Sequence, residues 1–76
     1  MPATYNERVA SEVRAEMARQ RVSQTTLARR LGWSQAFLSR RLCGGVAWDA
    51  DVIEAVAGAL DVPIGQLAAV PTEAAS

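Results

Sequence analysis

The sequence predicts an all-α fold, a compact five-helix domain with a helix-turn-helix at its centre, and three observations lead there. Half of the 76 residues are hydrophobic, many of them alanine. Apolar residues recur at helical spacing, with no strand-type alternation. Two serines, Ser23 and Ser34, each open a short helical pattern, and Gly32 stands between those patterns. A chain of this length has room for one small core, which is marginal unless its helices pack closely. Residues 1–70 are assigned to that domain and residues 71–76 to a short C-terminal tail; no internal repeat or second domain is apparent.

The first helix begins at Thr4, which with Glu7 matches a capping box, and runs to about Gln20. Val9, Val13 and Met17 repeat every four residues with Ala10 beside them, which predicts a buried stripe. Arg8, Glu12, Glu16 and Arg19 are placed on the solvent side. There Arg8 with Glu12, and Glu16 with Arg19, stand at pairing distance, each pair worth about 0.2 to 0.5 kcal/mol.

The second and third helices are framed alike. Ser23 and Ser34 supply the side-chain oxygen that orphan amides at a helix start require. Val22 with Leu27, and Trp33 with Leu38, can staple the starts of the two helices. Leu27, Ala28 and Leu31 share one face, leaving Thr25, Thr26, Arg29 and Arg30 outside. Gly32 can adopt the left-handed conformation that ends one helix and lets the next leave steeply. Two helices joined by a turn of about three or four residues containing glycine form the pattern that reads DNA, and here it spans residues 23–44.

Gly44 and Gly45 allow a tight exit and leave amides that can approach a phosphate; the alternative is a plain C-terminal cap. Trp48 precedes Asp49, a good N-cap, and can staple to Ile53. Val52, Ile53, Val56, Ala57 and Leu60 give the fourth helix its core arc. Pro63 suits the first turn of a fifth helix, whose apolar side is Ile64, Leu67 and Ala68 and which ends near Val70.

The order Ser23-Gln24, Leu27-Ala28, Leu31-Gly32, Ser34-Gln35, Leu38-Ser39-Arg40 and Gly44 resembles the Cro and cI class of phage repressors and related bacterial regulators, over roughly Val9 to Leu67. That resemblance implies a phosphate contact at Gln24 and base-edge positions at Gln35, Ala36, Ser39 and Arg40. The chain departs from the family at Arg41, where an apolar residue is usual, and at Leu42, where a glutamate or polar residue is usual. Two rotations of the third helix follow. One points Gln35, Ala36, Ser39 and Arg40 outward and tilts Arg41 inward. The other buries a Leu38–Leu42 seam and brings Phe37 and Arg41 toward the exposed side. Arg40 is exposed in both.

Net charge is zero, yet residues 1–45 hold all eight arginines against three acids, while residues 46–76 hold five acids and no base. Between Arg19 and Arg41 there are six arginines and no carboxylate. Such a division can offer phosphates a cationic face. Gln35 suits the N6 and N7 edge of adenine, Arg40 the O6 and N7 edge of guanine, and Ala36 or Phe37 a thymine methyl. Gln24, Thr25, Arg29, Arg41 and the amides at the serine-capped starts, Ser34 among them, are candidates for phosphates.

Histidine is absent, the one cysteine, Cys43, has no imidazole to activate it, and the carboxylates are scattered. No catalytic residue, metal ligand or cofactor is therefore expected. The single cysteine suits a reducing cytoplasm, no apolar run approaches the roughly 18 residues of a membrane span, and no signal-peptide pattern is seen. The leading expectation is a cytoplasmic, nucleoid-associated regulator that reads double-stranded DNA by sequence, of the phage or prophage repressor type. It would act as a homodimer through Ile64, Leu67, Ala68 and Val70 unless those residues merely close the core. The alternative is a helical protein-binding adaptor or antitoxin-like module, which has no need of an acid-free surface from Arg19 to Arg41.

Overall fold

The computed structural model describes residues 4–68. Among the described residues lie five helices and no strand: α1 (Tyr5–Gln20), α2 (Gln24–Leu31), α3 (Gln35–Leu42), α4 (Ala50–Leu60) and α5 (Ile64–Ala68). Every helix inserts at least one side chain with no accessible surface: Val9 and Val13 from α1, Leu27 from α2, Leu38 from α3, Val56 from α4 and Leu67 from α5. Each such burial is worth about 1.5 to 3 kcal/mol, and because all six fall in one cluster the five helices share a single core.

The ends of the helices are set by the residues that the sequence placed there. Thr4 Oγ1 accepts the Glu7 N–H at 3.1 Å and the Thr4 N–H donates to Glu7 Oε1 at 3.0 Å, closing the capping box. Ser23 Oγ accepts the Thr26 N–H at 3.0 Å and Ser34 Oγ the Phe37 N–H at 3.1 Å. Gly32 has φ +72° and turns the chain from α2 to α3. Two other helices end in the same left-handed conformation without glycine, α1 at Arg21 (φ 56°) and α4 at Asp61 (φ 58°). Chain reversal there is sealed by Val22 N–H to Met17 O at 2.9 Å and Val62 N–H to Ala57 O at 3.0 Å. The bonds offset a backbone cost on the order of 1 to 2 kcal/mol at each residue.

Several expectations are corrected. Glu16 is not on the solvent side; it is 6% exposed, the acceptor of a polar cluster that ties α1 to α5. Arg19 Nη2 reaches Oε1 at 2.6 Å, Gln66 Nε2 reaches the same oxygen at 2.6 Å, and Gln20 Nε2 reaches Oε2 at 2.9 Å. These donors, Arg19 foremost and then Gln20, hold the carboxyl below the usual carboxylate range against an opposing effect of burial. Of the two helical charge pairs only Glu16–Arg19 forms. Asp49 occupies the N-cap of α4, but its side chain caps nothing. On α5, Leu67 is enclosed while Ile64 stands 45% exposed, so Leu67 closes the core and offers a partner nothing. Val70 and the tail of residues 71–76 lie outside the described residues.

Candidate nucleic-acid interface

The two central helices are fixed by their own caps and by bonds between them. Gln24 Nε2 donates to the Gln35 carbonyl at 3.4 Å, joining the first residue of α2 to the first residue of α3. Leu38 and Leu42 are buried, at 0% and 5% exposure, so the realised rotation of α3 has the Leu38–Leu42 seam inward. Gln35, Ala36 and Arg40 are exposed on the opposite side, Ser39 is half-buried at its edge, and Phe37 with Arg41 forms one flank.

Three residues outside the motif hold the end of α3. Arg14 Nη1 donates to the Leu42 carbonyl from α1. Trp48 Nε1 donates to the Arg41 carbonyl at 3.0 Å, while its own backbone N–H is taken by Asn6 Oδ1 at 3.0 Å. Side-chain bonds to the last carbonyls of a helix satisfy acceptors that the helix leaves open. The Gly44 and Gly45 amides serve the same end, donating to Arg41 O at 3.0 Å and Arg40 O at 3.1 Å. The cap reading thus accounts for both glycines, and neither amide is free for a phosphate. At Gly44, with φ +83°, any L side chain would be strained. Arg14, Asn6 and Trp48 were missed as site residues because their partners are backbone carbonyls and amides far along the chain, for which residue spacing gives no signal.

The six arginines between Arg19 and Arg41 divide into two groups. Arg19 is bonded to Glu16, Arg30 Nη1 donates to the Ala59 carbonyl at 3.3 Å, and Arg41 lies back along its own helix. Arg21, Arg29 and Arg40 are exposed and make no side-chain hydrogen bond among the described residues. Thr25 and Ser34 are exposed as well, and Gln24 is half-buried. Arg41 is the unusual member. Its guanidinium carbon sits 3.6 Å from the centroid of Phe37, its Nη1 donates to the Phe37 carbonyl at 3.1 Å, and its buried Nε has no acceptor among the described residues. Stacking of this kind contributes about 0.5 to 2 kcal/mol, whereas a buried donor without a partner costs about 1 to 3 kcal/mol. The Phe37 ring also packs against Trp33, ring centroids 4.8 Å apart and planes tilted by 59°.

Chemically, this surface offers a fork of guanidinium donors and an amide on the outer face of a short helix, flanked by cationic side chains of which Arg21 and Arg29 form no ion pair among the described residues. Among the described residues no group of three or more histidine, cysteine or acidic side chains could hold a metal ion, and no described helix is long and apolar enough to cross a membrane. Neither a curated protein nor a solved structure matches the chain. Residues 12–73, which take in the whole of the α2–α3 pair, the clamps of Arg14 and Trp48 and the helices beneath them, match the Cro/C1-type HTH DNA-binding domain family. With most of its length matched and the helix-turn-helix geometry in place, the chain belongs to the Cro/C1-type helix-turn-helix DNA-binding domains.

Proposed function

We propose that this domain reads double-stranded DNA by sequence, laying α3 in a major groove, and that it regulates transcription as a repressor of the phage or prophage type. The observation that carries this reading is the outer face of α3, where Gln35, Ala36 and Arg40 stand exposed together and Arg40 has no protein acceptor among the described residues. Arg40 forks onto guanine O6 and N7, Gln35 bonds the adenine edge, Ala36 meets a thymine methyl, and Ser39 lies at the groove edge. Gln24, Thr25, Arg29, Arg41 and the start of α3 at Ser34 take phosphates and set register.

One motif of this size covers a few base pairs, so selection of an operator calls for two copies on one face of the duplex, their reading helices about 34 to 36 Å apart. Exposed Ile64 on α5 is the described side chain that suits a homodimer contact, with half-buried Ala68 beside it. Selection from a random duplex pool, followed by footprinting of the DNA flanking the protein's own gene, tests the proposal. A symmetric footprint with half-sites about one helical turn apart is expected. Equal binding to every duplex, whatever its sequence, contradicts it.

A further inference from the structure

Building on the reading of α3 as a duplex-binding helix, we propose that Arg41 is a stowed phosphate ligand. It lies on Phe37 while the domain is free and moves to a DNA phosphate when a duplex arrives, uncovering the Phe37 ring beside the reading face.

The stowed position uses little of what a guanidinium can do. The group carries five N–H donors in a rigid fork. Here one Nη1 bond to the Phe37 carbonyl and the stack on the ring hold it, while Nε is sealed from solvent without an acceptor among the described residues. A phosphate offers two parallel charge-assisted bonds to the same fork, and departure releases the orphaned Nε. Among the described residues Arg41 forms no ion pair; the described one belongs to Arg19 and Glu16.

The surroundings let the side chain move without the helix. The Arg41 carbonyl is held by Trp48 Nε1 and the Gly44 amide, and Leu38 and Leu42 fix the helix from below. Trp33 also packs against Phe37, ring centroids 4.8 Å apart, a contact that helps the ring keep its place when the cation leaves. Helical side chains naturally lie back toward the N-terminus, which is where Phe37 waits; a swing outward about the first side-chain torsions needs no backbone change. Arg40, exposed and unbonded, is available at first encounter, and Arg41 follows at docking. The transfer adds one phosphate contact, worth about 0.9 in the slope of log affinity against log salt.

Proton–nitrogen NMR of the arginine side chains tests this directly, with a mixed-sequence 20-base-pair duplex at low ionic strength as probe and Arg41→Lys to assign the signal. The free protein is expected to show the Arg41 Nε proton moved upfield by the Phe37 ring, and Phe37→Leu to abolish that displacement. Saturation with duplex is expected to shift the signal downfield, out of the ring's influence. A signal that is undisplaced in the free protein, or that stays upfield while the Gln35 and Arg40 signals report a bound duplex, overturns the stowed ligand and leaves the DNA reading intact. Failure of any signal to respond to duplex overturns both.

Discussion

Helices α3 and α4 are both short and amphipathic, yet they rest on different amounts of apolar surface. Over eleven residues α4 buries Ile53, Val56, Ala57 and Leu60, and its exposed side carries Asp51 and Glu54 with Asp61 at its end. Over eight residues α3 buries only Leu38 and Leu42, and its exposed side carries Gln35, Ala36 and Arg40. Beneath α4 lies the larger apolar area, and its last two carbonyls also take side-chain bonds, Ala59 O from Arg30 Nη1 at 3.3 Å and Leu60 O from Gln20 Nε2 at 2.7 Å. The smaller seam of α3 is supplemented by directional bonds from Gln24, Arg14 and Trp48 to its carbonyls. The comparison shows how a helix with a small seam can be fixed in rotation while one face stays free: polar bonds to carbonyls at both of its ends supplement the buried area.

Removing area should cost most. Leu60→Ala, beneath α4, is expected to lower unfolding free energy by about 2 to 5 kcal/mol in urea titrations followed by circular dichroism. Trp48→Phe keeps an aromatic side chain but trims the buried indole and deletes the bond to the Arg41 carbonyl. The lost bond alone should cost about 0.5 to 1.5 kcal/mol, with a further cost for the space left by the smaller ring, and the variant should also weaken discrimination between duplexes, because the end of α3 loses an orienting bond. A stability loss with discrimination unchanged would mean that the apolar seam alone orients α3. Asp61→Gly, which relieves the left-handed residue after α4, is expected to raise stability by up to about 1 kcal/mol in the same titration.

The smallest effect concerns pH. The depressed Glu16 carboxyl contributes stability that is fully present above the ordinary carboxylate range and is lost as pH falls through its lower folded value. Thermal melts of the wild type and Glu16→Gln should therefore converge in acid and separate as pH rises past the carboxylate range. Parallel melts at every pH would remove Glu16 from the account of how α5 is docked.

Much of this architecture is legible in the chain because its signals are local. Thr4 with Glu7, Ser23 with Thr26, and Ser34 with Phe37 each meet within three residues, and Gly32 announces its own turn. What escapes is set by partners far apart. Glu16 looks solvent-facing on a helical wheel because Gln66, which reaches it from α5, is fifty residues away. Asp49 looks like a cap, and its position is right, but no bond follows. The α5 stripe reads equally as core or contact until Leu67 is found enclosed and Ile64 exposed. On the proposed reading face, the exposure of Arg40 was legible because both rotations expose it. Arg41 was not, because a side chain long enough to fold back onto Phe37 is not confined to the direction in which its Cα points.

The central claim is that the outward face of α3 reads bases while the rest of the domain aims it. The most direct measurement compares wild type and Arg40→Ala for binding to a selected duplex and to a scrambled one across a range of salt. The account predicts that Arg40→Ala narrows the preference for the selected duplex by about 1 to 3 kcal/mol, confined to one base pair. An equal loss on both duplexes would contradict it, leaving Arg40 as one more phosphate contact.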